Sequence, residues 1–232
     1  MTLDAQLSEN RLAAALRGFG PLGLLAILVI LLPGNAVSIA GFGVPVSAIL
    51  VLVWVRLSHT PWREIGYVRP RSWALGLLVG VALGVSMKFL MKAAVMPLLG
   101  GPAVNPAYHY LAGNTAALPG AVFTMVVVAG FGEETTFRGY MFERLGKLFG
   151  PGAWAKVAIV LVTSTVFGLE HLANQGLAGT EQAALNGLVF GTIMALTGRI
   201  WMLMCAHAAF DLTALARIYL DRESQVAHWI FR

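Results

Sequence analysis

Glu133 and Glu134 stand side by side in "GFGEETTFRG", residues 130–139, at the end of a long uncharged run. No Asp, Glu, Lys or Arg occurs between Lys92 and Glu133. A charge at membrane depth costs roughly 2.5–3.5 kcal/mol on insertion scales, so two adjacent carboxylates mark a boundary or a site. Arg138 follows Glu134 by four residues and shares its helical face, where pairing lowers the cost of both charges. Glu133 lies about 100° round the helix, and nothing on its own helix obviously pairs with it. One carboxylate is thereby assigned to structure and the other is left for chemistry. The plainer alternative is that a span ends near Glu133 and "EETTFRGYMFERLGK" is a cytoplasmic helix.

Two further segments carry imidazole. "VFGLEHL" sets Phe167 and His171 one helical turn apart, and "CAHAAFD" does the same for His207 and Asp211. Either histidine alone reads as a satisfied interior group. Three spans bearing acid or imidazole are harder to dismiss, because polar groups inside a bundle face its interior and pair there. Lys147 and Lys156 bracket a turn, with Glu133 about 21 Å of helix from the first and His171 about 22 Å from the second. Antiparallel neighbours would bring those two to one level. His207 is about 12 Å of helix past Arg199, so it is expected to sit shallower unless its helix tilts or begins deeper.

The elements that must position these groups are membrane helices. The chain has 232 residues, 58% hydrophobic and only 12% charged, with a mean hydropathy of +0.75; soluble domains carry about 25% charged residues. The expected fold class is all-α, a polytopic transmembrane helical bundle. Spans need roughly 20 residues each. Seven are expected, at Pro21–Asn35, Val37–Leu57, Trp73–Met96, Leu118–Leu148, Trp154–Leu172, Gln182–Gly198 and Ile200–Leu220, with an eighth as the alternative count. Pro33, Gly34 and Pro45 also allow the first two to be one kinked region. The chain divides into a lead (1–20), N-terminal transmembrane helices with their connectors (21–117), a core carrying the three polar segments (118–220) and a tail (221–232).

Lys and Arg fall on alternate connections, which places the N-terminus in the cytoplasm. That N-terminus does not read as a cleaved signal, since Asp4 and Glu9 come early and a small-residue cleavage site is lacking. The net charge of +5 fits loops at an anionic membrane face better than nucleic acid. Cys205, the single cysteine, excludes an internal disulfide. It stands roughly 200° round the helix from His207, which argues against a Cys–His nucleophile and for packing. Gly76, Gly80 and Gly84, and again Gly187 and Gly191, make small-residue ridges for close helix approach. Lys88 and Lys92 are expected to snorkel to the interface; the alternative is that Lys88 faces the cavity and receives a substrate carboxylate. Glu143, Glu170 and Glu181 read as interfacial or solvated, and His59, His109 and His228 are assigned no chemistry. The connector "SHTPWREIGYVRPRSW" is expected at the headgroups.

In order along the chain, "EETTFR", "FGLEH" and "HAAFD" resemble the EExxxR, FxxxH and HxxxN/D motifs of the CPBP intramembrane proteases. That family includes CAAX proteases and bacteriocin-processing enzymes, and is related to the Ras- and a-factor-converting enzyme. The resemblance runs from about Leu118 to Leu220, and "WREIGYVRP" also resembles a segment that often precedes the core in bacterial members. It implies an endopeptidase of the inner (plasma) membrane acting on membrane-associated or C-terminally lipidated peptides. It implies Glu133 as general base on a water, His171 as a holder of that water, and His207 and Asp211 as groups that stabilise the oxyanion or order the site. Glu134 and Arg138 would position the helix or substrate, with Phe167 supporting. Asp211 departs from the Asn of many members, and an ionised Asp can only accept hydrogen bonds. Glu133, His171, His207 and Asp211 are also a set that could ligate Zn2+, although no HExxH is present. Two other classes fit intramembrane acid and imidazole: a proton-coupled small transporter, and a non-catalytic peptide-immunity or scaffold protein.

Overall fold

A computed structural model describes residues 3–36 and 43–231, and no strand occurs among the described residues. Helix α1 (Leu3–Arg17) meets α2 (Pro21–Ala36) across Gly18 and Gly20, with 64° between Glu9–Arg17 and Pro21–Leu32. Helix α3 (Gly43–Leu57) then doubles back on α2. Trp54, near the end of α3, donates its indole N–H to the Leu16 carbonyl at 3.1 Å, before the start of α2. Ile27, Ile30 and Leu31 of α2 pack with Leu50, Val51 and Trp54 of α3. These are therefore two helices and not one kinked region. The expected beginning of the second span at Val37 lies outside the described residues.

The remaining helices are α4 (Trp73–Leu98), α5 (Thr115–Phe149) and α6 (Ala153–Glu170), then α7 (Leu172–Thr197), α8 (Trp201–Tyr219) and the short α9 (Glu223–Ala227). Among the described residues α4, α5 and α6 are long and apolar enough to cross a membrane, and the bent α1–α2 pair makes up to four. Helix α3 is apolar but shorter. Helices α7 and α8 carry Glu181, Gln182 and Asn186, and His207, Asp211 and Arg217, which dilute their hydropathy. The chain is an all-helical membrane protein. In the apolar windows of α4, α5 and α6 no more than 33% of residues are buried within the protein. Leu75, Leu77 and Leu78 of α4 and Leu161 of α6 lie among the exposed apolar residues, as a lipid-facing surface requires.

Glycines set how closely the helices approach. A Cβ on Gly84 would lie 2.1 Å from the Ala206 carbonyl oxygen, and one on Gly80 2.7 Å from that of Met202, so α4 and α8 pack nearly backbone to backbone. Gly76 has nothing within 4 Å and is not part of that seam. Gly187 and Gly191 dock on Ser164 and Val160, joining α7 to α6. In α5, Gly130 abuts Ala208 and Gly132 abuts Val44, wedging the segment just before the glutamates between α8 and α3. From Thr124 to Met141 α5 is π-helical, bonding i→i+5, a geometry frequent at functional sites.

The connector after α3 packs on the bundle through two residues: Ile65 is fully buried, its carbonyl abuts Gly139, and the Tyr67 hydroxyl bonds to Thr135 at 2.8 Å. Two expectations about polar residues are corrected. Glu143 is buried and ion-paired with Arg144 and Lys147, not solvated. Lys92 does not snorkel; it is buried, 3.6 Å from Glu223 and donating to the Pro102 carbonyl at 3.3 Å, and so ties α4 to the chain's last helix.

Candidate active site

Glu134 is wholly buried, and its Oε1 accepts hydrogen bonds from Arg138 Nη1 at 3.0 Å and from His207 Nδ1 at 2.7 Å. The pairing expected within α5 is present and extends further, because the same carboxylate fixes a ring on α8. A carboxylate oxygen only accepts, so the proton of this bond is on Nδ1. The other nitrogen, Nε2, is then the one offered to the cavity. It lies 3.7 Å from Glu133 Oε2 and 3.7 Å from Asp211 Oδ2. Both separations exceed a direct hydrogen bond and suit a shared water.

Phe167 holds the second histidine. His171 sits at the corner between α6 and α7, and its Nδ1 donates to the Phe167 carbonyl at 2.8 Å, leaving Nε2 with its lone pair. The Phe167 ring meets His171 edge-on at 4.8 Å and His207 at 6.0 Å between centroids. The Arg138 guanidinium lies 4.5 Å above it. One phenyl thus braces both imidazoles and the arginine.

Glu133, His171, His207 and Asp211 line one cavity of about 120 Å³. A water needs roughly 10–15 Å³ by the same measure, so several fit. Glu133 Oε2 is buried without a hydrogen-bond partner among the described residues. Lys88, Asn186, Gln175, Gln182 and Tyr108 add to the polar lining. Tyr108 bonds Gln175 Nε2 at 3.0 Å, and burial pushes its hydroxyl up to about 12.

His207 is not shallower than Glu133. The chain enters α8 at Ile200, whose N–H bonds the Gly66 carbonyl at 3.0 Å and whose side chain touches Gly139. Helix α8 therefore begins level with Gly139 rather than with Lys147, and seven residues from Ile200 reach the level that six residues reach from Gly139. Lys88 is also corrected. It does not snorkel; it is 6% exposed, donates to Gln182 Oε1 at 3.1 Å and sits 4.3 Å over the Phe210 ring.

Asn186, Gln182 and Gln175 went unremarked in the sequence. Asn186 is buried with Oδ1 unpartnered, and it directly precedes a packing glycine, the one local signal for an inward position. No group of three or more His, Cys, Asp or Glu side chains is placed to hold a metal ion among the described residues. His207 Nδ1 and His171 Nδ1 are both committed to protein acceptors. Those bonds leave Nε2 of each ring uncommitted, and that of His207 lies 3.7 Å from Glu133 Oε2 and from Asp211 Oδ2.

Residues 115–213 match the family model described as type II CAAX prenyl endopeptidase Rce1-like. The match begins at the first residue of α5, ends inside α8 and takes in all three motifs. No curated protein and no solved structure matches the chain.

Proposed function

From the premise that residues 115–213 are an Rce1-like type II CAAX prenyl endopeptidase domain, we propose that this protein is an intramembrane endopeptidase. It hydrolyses a peptide bond of a membrane-associated, C-terminally prenylated peptide by direct attack of water. The observation that carries this reading is Glu133 Oε2, buried, without a hydrogen-bond partner among the described residues and facing a polar cavity with His207 Nε2 at 3.7 Å. A general base must lie within reach of the water it deprotonates, directly or through one solvent molecule.

Glu133 takes one proton from a water whose other O–H donates a hydrogen bond to His171 Nε2. The hydroxide attacks the scissile carbonyl carbon, and the carbonyl oxygen becomes an oxyanion. His207 bearing both protons offers Nε2–H to that oxygen. Asp211 cannot donate when ionised, so it orients His207, and the Asn186 amide is the second donor. Preorganised donors of this kind act most strongly in a site from which bulk water is excluded. Collapse breaks the C–N bond, and the proton held by Glu133 passes to the leaving amine. Glu134 and Arg138 keep the His207 tautomer and the helix in register. No step passes through a metal.

The basic end of the bundle, where Arg17, Glu64, Arg144 and Lys147 meet, lies in the cytoplasm of an inner (plasma) membrane by the positive-inside rule. Purified protein in nanodiscs, incubated with an S-farnesyl CAAX peptide and analysed by mass spectrometry, is expected to release a short C-terminal product. Chelator is expected to leave the rate unchanged. Ion or proton flux without any peptide product would favour a transporter instead. A rate lost to chelator and restored by zinc would overturn the metal-free mechanism.

A further inference from the structure

Gly80, Gly84 and Lys88 are spaced at successive fours along α4, so the lysine continues the ridge that docks on α8. That seam turns the side chain toward Phe210 and the cavity that Glu133, His171 and His207 line. Its ammonium has three donors. One is used on Gln182 Oε1 at 3.1 Å, and the nearest ring is neutral Phe210. No carboxylate of a described residue lies within ion-pair distance of it. Two other buried cations nearby are paired, and a third, Arg217, which has no carboxylate of a described residue within ion-pair distance, does not line the cavity. Lys92, one turn further along α4, has Glu223 at 3.6 Å, and Arg138 has Glu134 at 3.0 Å. A buried charge without a counter-ion is costly, and here the missing counter-ion faces the space a substrate occupies.

We propose that Lys88, with Gln182, is the receptor for the free C-terminal carboxylate of the bound peptide. Gln182 spends its carbonyl oxygen on Lys88, so its NH2 group remains as a second donor. Ammonium and amide together match the two oxygens of one carboxylate. Glu133 repels an anion, which disfavours seating the carboxylate beside the base. A peptide that enters end first must bury its terminal charge, and Lys88 is a cation of the lining, apart from the imidazoles, that can meet it. The enzyme then measures its cut from the chain end. The occupant named here rests on the peptidase reading, but the binding it requires can be measured without turnover.

The test uses full-length Glu133→Gln protein in nanodiscs and an S-farnesyl CAAX peptide in two forms, free acid and C-terminal amide. The acid is expected to bind at least tenfold more tightly than the amide. Lys88→Gln should collapse that preference to near unity, Lys88→Arg should retain most of it, and Gln182→Glu should collapse it by giving Lys88 an internal carboxylate. Lys88→Met stands in if Lys88→Gln does not yield monodisperse protein. Equal affinities for acid and amide, no binding of either, or a preference that survives loss of Lys88 would overturn the receptor. Wild-type protein that cleaves both peptides alike would keep the peptidase reading and remove this inference. Lys88-dependent, acid-selective binding with no cleavage by wild-type protein would do the reverse.

Discussion

Arg138→Met separates what holds the site together from what it does. Arg138 and Glu134 are 1% and 0% exposed and bond at 3.0 Å. Removing the guanidinium leaves a buried carboxylate with His207 as its remaining partner. Breaking one side of a buried ion pair costs about 3–5 kcal/mol. A destabilisation of 1 kcal/mol shifts melting by about 2–4 °C for a chain of this size, so the loss should be on the order of 10 °C or more. The double variant Glu134→Gln/Arg138→Met removes both charges and leaves Gln with an oxygen for His207 Nδ1. Replacing a whole buried pair by neutral groups is often close to neutral, so melting should return to within a few degrees of wild type. Activity should not return with it, because His207 loses the carboxylate beside it. Scanning fluorimetry in detergent, with peptide cleavage on the same preparations, reads both quantities. A single variant that melts with wild type, or a double variant that melts as low as the single, would refute the assignment of Glu134 and Arg138 as a mutually compensating pair.

Gly84→Leu should prevent correct docking of α4 on α8 and lower the yield of monodisperse protein, while Gly76→Leu, with open space around it, should behave as wild type in size-exclusion chromatography. Asn186→Leu should reduce kcat by about a hundredfold to a thousandfold, the range for one oxyanion donor, with little change in KM; unchanged kcat would remove it from the mechanism. Tyr108 has its hydroxyl raised from 10.0 to about 12, chiefly by burial. Its contribution is therefore fully present below pH 10 and lost as pH rises toward 12, so Tyr108→Phe should flatten the fall in melting temperature over that window.

Much of the fold was legible because apolar run length and the placement of Lys and Arg are direct consequences of the bilayer. The described parts of the seven segments read as spans are essentially helical, although among the described residues only α4, α5 and α6 meet a strict length and apolarity test alone. The Glu134–Arg138 pair was legible because it is local to one turn. The second role of Glu134, holding His207, was not, because it depends on the level at which α8 starts. Ile200 settles that level by bonding a connector carbonyl at Gly66, a contact with no signature in spacing. Lys88 was misjudged although its signal was present: it stands four residues past Gly84 on the seam side of α4. Distance from the helix end suggested snorkelling, but the glycine ridge decides which way the side chain turns. The π-helical stretch of α5 had no visible mark beyond its glycines.

The most direct measurement is peptide cleavage by Glu133→Gln, an isosteric change that keeps the hydrogen-bonding size of the side chain and removes its basicity. General-base catalysis contributes about 10²–10⁴ in rate. The account predicts a loss of that size with unchanged melting and unchanged peptide affinity. Turnover within tenfold of wild type, in protein that folds and binds as wild type does, would contradict it.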